Sequence, residues 1–264
     1  MDLKLPIVTP EILKAMLDLR PWSHYFKLDD QTYTGFFGDT EEETMCWADN
    51  SPETIEAFKK NYESIVVDNN RQFMPIDHLR VMLGDLSPYT VLDIGCNDGM
   101  KSFYFKQAGA TSVRGVEIRE DCVKRARYIS QISGIEVDFQ TFQTSADDIG
   151  FLDEVECADI VASFGVLHHL EDHLQHIKNL KALAKRAVVL FTACTKSGST
   201  NPLLKEDREH PFKSFSGTRI VPDSYHILEM MTEAGFSHTV EIKFHPNMGD
   251  PAFTESTIYL IAFP

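Results

Sequence analysis

The chain has 264 residues, 43% of them hydrophobic, and a formal charge of -15 at pH 7, which suits one substantial core with an appendage. No run approaches the roughly 18 consecutive apolar residues of a membrane span, and the opening MDLKLPIVTPEI lacks the basic and apolar regions of an export signal, so the cytoplasm is the expected compartment. The acidic excess makes the average surface repel nucleic acid, and five scattered cysteines without a CxxC pair argue against a disulfide framework or structural zinc.

In chain order, residues 1–85 read as a mainly helical N-terminal section that covers a substrate, with helices predicted at 10–19, 53–70 and 76–83. Between the first two, residues 28–58 hold nine acids, no Lys or Arg, and the aromatics Tyr33, Phe36, Phe37 and Trp47, the composition of a solvated loop or of a lid over a ligand. Residues 86–264 form the second unit. Strands are predicted at 90–94, 112–117, 137–141, 158–163, 187–193, 238–244 and 256–263, alternating with helices at 100–107, 120–133, 170–183 and 223–234. Gly109, Gly134 and Gly235 stand where helices should stop. This is an α/β layered domain with a mostly parallel sheet of seven strands, whose last two, joined around residues 246–251, form an antiparallel hairpin at one edge. The basic groups Lys101 with Lys106, Lys124 with Arg125 and Arg127, and Lys178 with Lys181, Lys185 and Arg186 all fall on helices, where solvated faces are expected. Nothing in the sequence specifies an oligomeric state.

The most informative stretch is VLDIGCNDG at 91–99, a buried strand followed by a turn bracketed by Gly95 and Gly99 and opening into a helix. A dinucleotide-binding turn would read GxGxxG, but here Cys96, Asn97 and Asp98 fill the interval and the middle glycine is absent. Asp93, buried near the strand end, is foreign to a pyrophosphate site and suits a ligand with an ammonium group or another cationic centre. Glu117, 22 residues after Gly95 at the end of the second strand, has the usual spacing for an acid that binds ribose hydroxyls in the crevice of such sheets.

From these residues on, the chain resembles a class I S-adenosylmethionine-dependent methyltransferase with a Rossmann-like fold. The resemblance implies S-adenosylmethionine as cofactor, with Asp93, Gly95, Cys96, Asn97 and Gly99 around its methionine half and Glu117 on the ribose. It further implies an adenine pocket at Ser145, Ala146 and Asp147 with Ile118 against the ring, and a cofactor wall at Phe164 and Gly165. His168 is the candidate general base, because an imidazole titrates near neutral pH. His169 and His173 have i,i+4 spacing, but the HExxH arrangement is missing and no metal is expected.

For the methyl acceptor, the N-terminal section and the long connection at 194–222 are the candidate covers, with Arg208, Lys213 and Arg219 available for an anionic substrate. Pro21-Trp22 with Phe26, the Gly165-Val166-Leu167-His168-His169 segment and the Ile220-Val221-Pro222 approach resemble the tRNA wobble-uridine carboxymethyltransferase branch. That branch implies a carboxylated cofactor held by basic and phenolic side chains. Here His24 stands where a lysine is expected, His168 where a tyrosine is expected, and the arginine-bearing stretch at the C-terminal strand is absent. These departures and the acidic charge favour plain S-adenosylmethionine over carboxy-S-adenosylmethionine and a small-molecule O or N acceptor over tRNA. Trp22 and His169 are the remaining candidate substrate contacts, and His24 a second candidate catalytic group. A non-catalytic cofactor- or protein-binding module is the alternative outside enzymes.

Overall fold

The computed structural model describes residues 5, 7–20, 22, 24, 26–28, 73–195, 203–206, 214–243 and 257–264. The acidic 28–58 segment beyond Leu28, the helix read at 53–70, Arg208, Lys213 and the turn at 246–251 lie outside them.

Nine strands are present among the described residues: β1 (Thr90–Ile94), β2 (Ser112–Glu117), β3 (Asp138–Thr141), β4 (Ala158–Phe164), β5 (Ala184–Ala193), β6 (Leu203–Lys205), β7 (Thr218–Ile220), β8 (His238–Glu241) and β9 (Thr257–Phe263). The helices are α1 (Pro10–Asp18), α2 (Met74–Leu83), α3 (Met100–Gln107), α4 (Glu120–Ser133), α5 (His173–Leu183) and α6 (Ser224–Glu233). Seven strands form one sheet in the order β3-β2-β1-β4-β5-β9-β8. β1 to β5 pair in parallel, and β9 runs antiparallel to both β5 and β8. The reversed strand therefore lies inside the sheet, and β8 forms the edge. β6 and β7 pair with each other as a separate antiparallel hairpin.

Alternation along the central strands explains the layering. Val91, Ile160, Ala162, Ala187, Val189, Tyr259 and Ile261 face one side, where Ile76 and Leu79 of α2 and Phe105 of α3 meet them. Their neighbours Leu92, Val161, Val188, Leu190, Leu260 and Ala262 face the other, against Ile177 and Leu180 of α5 and Ile227 and Met231 of α6. Strands buried on both faces read as nearly continuous apolar runs, and these do. A third cluster joins Met16, Trp22, Phe26 and Leu28 to Met100, Phe103, Val123, Ala126 and Ile129. The described parts of the N-terminal section thus share a core with α3 and α4. Trp22 is wholly buried, with its indole N–H donating to the Met16 carbonyl at 2.8 Å.

Caps set the helix ends. The Asp172 carboxylate accepts from the Gln175 N–H at 2.9 Å, which starts α5 at His173 rather than at residue 170, while Leu167–His169 forms a 3-10 turn before it. Asp223 caps α6 through the N–H groups of Tyr225 and His226. β5 follows α5 without a loop and begins at Ala184, three residues earlier than its apolar run suggests.

Gly99 starts α3 at φ +88°, and a Cβ there would stand 2.6 Å from Cζ of Phe139. Gly99→Ala combines left-handed strain with overpacking, so the expected cost is about 2–4 kcal/mol. Equilibrium urea unfolding checks this; a loss below about 0.5 kcal/mol, the scale of an ordinary surface change, would contradict the packing described.

Candidate active site

The strands β1, β2 and β4 all end at one crevice, the place where open α/β sheets bind ligands. A cavity of about 660 Å³ opens there. Its wall includes Asp93, Gly95, Cys96 and Asn97 from β1 and its turn, Glu117 and Ile118 from β2, and Ser145, Ala146 and Asp147 after β3. Phe164 and Gly165 from β4 complete that half, and His168 and His169 line the other with Phe191, Ser214, Phe215 and Ser216. That volume lies within the range of small-molecule and cofactor sites.

The turn at 95–99 takes its shape from positive φ at Gly95 (69°), Asn97 (54°) and Gly99 (88°). Asn is among the few side chains that tolerate this region. A Cβ on Gly95 would lie 2.3 Å from Cγ2 of Val166, so a side chain here would drive the β1 turn off the β4 loop. The turn's N–H groups bond within the protein. Those of Gly95 and Cys96 donate to the Val116 carbonyl, that of Asn97 to Glu117, and that of Gly99 to the Cys96 carbonyl. What the turn offers a ligand is close approach rather than a nest of N–H donors. Gly99 itself packs against Phe139 and Phe103 and is not part of the cavity wall.

Two carboxyl groups are buried beside this turn, Asp93 at 1% and Glu117 at 6% exposure. The Asn97 and Arg119 N–H groups donate to Glu117 at 3.1 and 3.0 Å, one to each carboxylate oxygen, which leaves further acceptor positions on both. Burial raises the Glu117 pKa, against those N–H donors. Burial likewise raises Asp93 to about 6, with Glu117 adding to the rise and the Ser102 hydroxyl, which donates at 2.6 Å, and Lys101 opposing it.

Lys101, read from sequence as part of a solvated helix face, is buried, and its ammonium donates to Nε2 of His24 at 2.6 Å. The other ring nitrogen of His24 bonds to the Asp98 carboxylate, which also takes the His24 backbone N–H at 2.9 Å. An acid, a neutral imidazole and an ammonium are thus joined across two chain segments. Burial lowers the His24 pKa, and lowers Lys101 to about 8 against the pull of Asp98 and Asp93. The positive charge at this end of the cavity belongs to Lys101, not His24. Arg125 is also buried rather than solvated, lying 3.0 Å from the Cys122 sulfur.

In the segment after β3, Asp147 accepts from the N–H groups of Glu171 and Asp172 at 2.9 Å each and from the Ser145 hydroxyl. The carboxylate holds two loops together, and the Ser145 proton is taken by it. His176, which the sequence reading passed over, donates through Nδ1 to the Ala146 carbonyl at 3.0 Å and meets Ser163 through Nε2. Asn179 donates to the same carbonyl and to that of Asp148.

The two adjacent histidines differ. Nδ1 of His168 lies 2.9 Å from the Thr192 hydroxyl and 3.3 Å from the Ala193 N–H. An amide N–H can only donate, so Nδ1 accepts and the ring proton sits on Nε2. Burial, then the charges of His169 and Arg219, push its pKa well below the ordinary value. His168, read as the candidate general base, is therefore a neutral ring with its proton on Nε2, and it lines the cavity. Nδ1 of His169 instead faces the Glu206 carboxylate at 3.1 Å.

Glu206 follows β6, and the β6–β7 hairpin brings it in beside the sheet. It also accepts from the Ser214 N–H at 2.7 Å, and Arg219 of β7 lies 4.0 Å away. Arg219 thus turns to Glu206 and does not line the cavity. Phe215 lines the cavity, with the Arg119 guanidinium 5.9 Å from its ring centre. Trp22, read as a substrate contact, belongs to the core instead. Among the described residues no group of three His, Cys, Asp or Glu side chains is arranged to hold a metal ion, and no helix is long and apolar enough to cross a membrane.

Residues 92–192 match the sequence family described as a methyltransferase domain. Over those residues the chain is similar to a methyltransferase domain. A ubiquinone biosynthesis O-methyltransferase of Actinobacillus pleuropneumoniae is 30% identical over 136 residues, 47% of this chain and 56% of the relative. A tRNA U34 carboxymethyltransferase of Cellvibrio japonicus is 22% identical over 220 residues, 81% of this chain and 67% of the relative. The chain thus spans about half the length of the first of these. Among solved structures, the N-terminal domain of EvdMO1 with SAH bound aligns at a TM-score of 0.62 and 15% identity, covering 97% of both chains. Magnesium protoporphyrin IX methyltransferase from Synechocystis, with bound SAH, aligns at 0.52 and 23% identity over 73% of this chain and 83% of that one. These structural likenesses show a methyltransferase fold that extends beyond the matched residues at both ends.

The raised Asp93 pKa has a consequence for the unliganded protein. Between the ordinary 3.8 and about 6 the folded state holds this proton more tightly than the unfolded state, so stability from this group falls as pH rises through that window. Asp93→Asn removes the ionisation. Thermal unfolding is expected to show the variant gaining on the wild type between pH 4 and pH 7 and melting higher at pH 7.5; parallel pH profiles would contradict the assignment.

Proposed function

We propose that this chain binds S-adenosylmethionine and transfers its methyl group to an oxygen or nitrogen of a small molecule. The observation that carries the reading is the pair of buried carboxyl groups, Asp93 and Glu117, at the ends of adjacent strands beside the Gly95 turn. The pocket's chemistry suits the cofactor part by part. Glu117 keeps acceptor positions for two ribose hydroxyls, Asp93 suits an ammonium, and the Lys101 ammonium suits the carboxylate of the same amino acid. Ile118 and Phe142 provide apolar wall beside the loop at 145–147, whose position His176 and Asn179 fix. Bound S-adenosylmethionine supplies an electrophilic methyl group on a sulfonium. The protein's part is to orient the acceptor and exclude water. Phe191, Phe215 and the two histidines enclose the space left for that acceptor.

A small acceptor is supported by the formal charge of -15, which opposes a phosphate backbone. A second reading, carboxymethyl transfer to a tRNA wobble uridine, is supported by Lys101. Its ammonium stands against His24, the position where that branch is expected to carry a lysine, and the Cellvibrio japonicus relative aligns over most of the chain. The protein's place in the cytoplasm accompanies either reading.

Calorimetric titration with S-adenosylmethionine is expected to give saturable binding that weakens about tenfold or more in Asp93→Ala and in Glu117→Ala, the cost of losing a hydrogen bond to a charged group. Unchanged affinity in both variants would overturn the pocket assignment. Electrophoretic titration with bulk tRNA at near-physiological salt is expected to show no saturable micromolar complex. Such a complex, with tighter binding of the carboxylated cofactor that Lys101→Met abolishes, would establish the second reading in place of the first.

A further inference from the structure

We infer that His169, oriented by Glu206 from the β6–β7 hairpin, is the proton acceptor for the methyl-accepting group, and that this group is a hydroxyl of phenol- or enol-like acidity. The inference rests on the proposed methyl transfer and adds a base and an acceptor class to it.

The tautomer follows from the neighbours. A carboxylate can only accept, so the His169 Nδ1 that faces Glu206 at 3.1 Å carries the proton. Nε2 is then a lone-pair acceptor, and His169 lines the cavity. His168, whose ring centre is 4.1 Å away, has the opposite tautomer and presents a donor. One imidazole that donates and one that accepts, side by side on the acceptor half of the cavity, suit a substrate whose hydroxyl gives up a proton while a neighbouring oxygen takes a hydrogen bond.

Glu206 is 10% exposed and held on three sides, by His169, by the Ser214 N–H and by Arg219. The Ser214 hydroxyl also donates to the His169 carbonyl at 2.9 Å, so the hairpin grips both the side chain and the backbone of the histidine. A carboxylate fixed behind an imidazole orients it and stabilises the imidazolium that forms. Burial acts most strongly on His169 and disfavours its protonated form; of the charged groups around it, Glu206 favours that form, and Arg219 and Arg119 oppose it. His168 adjoins it as a neutral ring. The net effect is a pKa below the ordinary 6.5. At neutral pH the ring is free to accept.

The proton step is balanced within the site. The acceptor O–H bond breaks and the proton passes to Nε2; the electron pair left on the oxygen bonds the methyl carbon as the carbon–sulfur bond of the donor breaks, its electron pair leaving with a neutral thioether. The imidazolium then loses its proton to solvent. A base of this strength suits a hydroxyl that ionises near the tyrosine value of about 10, not an alkyl alcohol. Phe191 and Phe215 on the same half of the cavity suit a flat, aromatic acceptor.

The test uses the full chain with histidine labelled in 13C and 15N, His169 being assigned against His169→Gln. The inference predicts the Nδ1–H tautomer at pH 7 in the wild type and a pKa lower by about one unit in Glu206→Gln, where the negative neighbour is gone. With S-adenosylmethionine and a panel of phenols, catechol and 4-nitrocatechol among them, kcat/KM is expected to fall about 100-fold or more in His169→Gln. The loss in Glu206→Gln is expected at about tenfold. Cofactor affinity should stay within twofold in both variants. The nitro-substituted acceptor, which ionises without help, should lose least. An Nε2–H tautomer, or a His169 pKa indifferent to Glu206, overturns the dyad. A wild type that binds the cofactor and methylates no phenol overturns the acceptor class. A wild type that binds no cofactor overturns instead the reading on which both rest.

Discussion

Burying two carboxyl groups side by side is the constraint around which this domain is arranged. Asp93 lies one residue before the end of β1 and Glu117 ends the adjacent parallel strand β2, and both are buried. Desolvating such groups is costly unless donors meet them. Ser102 on the first turn of α3 donates to Asp93, and the Asn97 and Arg119 N–H groups donate to Glu117. Asn97, whose N–H donates to Glu117, holds a positive φ within the Gly95 turn. The same contacts that make the carboxyls tolerable therefore shape the cavity.

The remainder of the pocket is held from behind by buried polar links between elements. His176 and Asn179 tie α5 to the loop after β3, and Asp147 ties that loop to the start of the same helix. The N-terminal section contributes twice, through the apolar set Trp22, Phe26 and Leu28 against α3 and α4, and through His24 between Asp98 and Lys101. At the opposite end the β6–β7 hairpin supplies Glu206 and Phe215. One half of the cavity is thus built from the ends of β1 and β2, and the other from His168 and His169 after β4, Phe191 of β5 and the segment of Ser214, Phe215 and Ser216 before β7.

The sheet was legible because its strands are buried on both faces and its breaks are marked by glycines. β1, β2, α3 and α4 have the bounds that apolar periodicity predicts. Asp93 and Glu117 stood out because acids at strand ends in an apolar context need a reason. Lys101 did not, because a lysine on a helix is ordinarily solvated, and only the fold shows that His24, 77 residues earlier in the chain, covers it. The hairpin was hidden for a different reason: its strands are three residues each and carry no buried side chain, so no period can register. With it went Glu206, and without Glu206 the two histidines were indistinguishable. Adjacent residues of one type acquire opposite roles only from the third groups behind them, Thr192 with the Ala193 N–H for one and Glu206 for the other.

A crystal structure of the chain with S-adenosylhomocysteine tests the central claim most directly. The account predicts both ribose hydroxyls on the Glu117 carboxylate, the amino group at Asp93, the carboxylate at Lys101, and the sulfur turned toward His168 and His169. A ligand seated with its ribose away from Glu117, or in a different cavity, would contradict it.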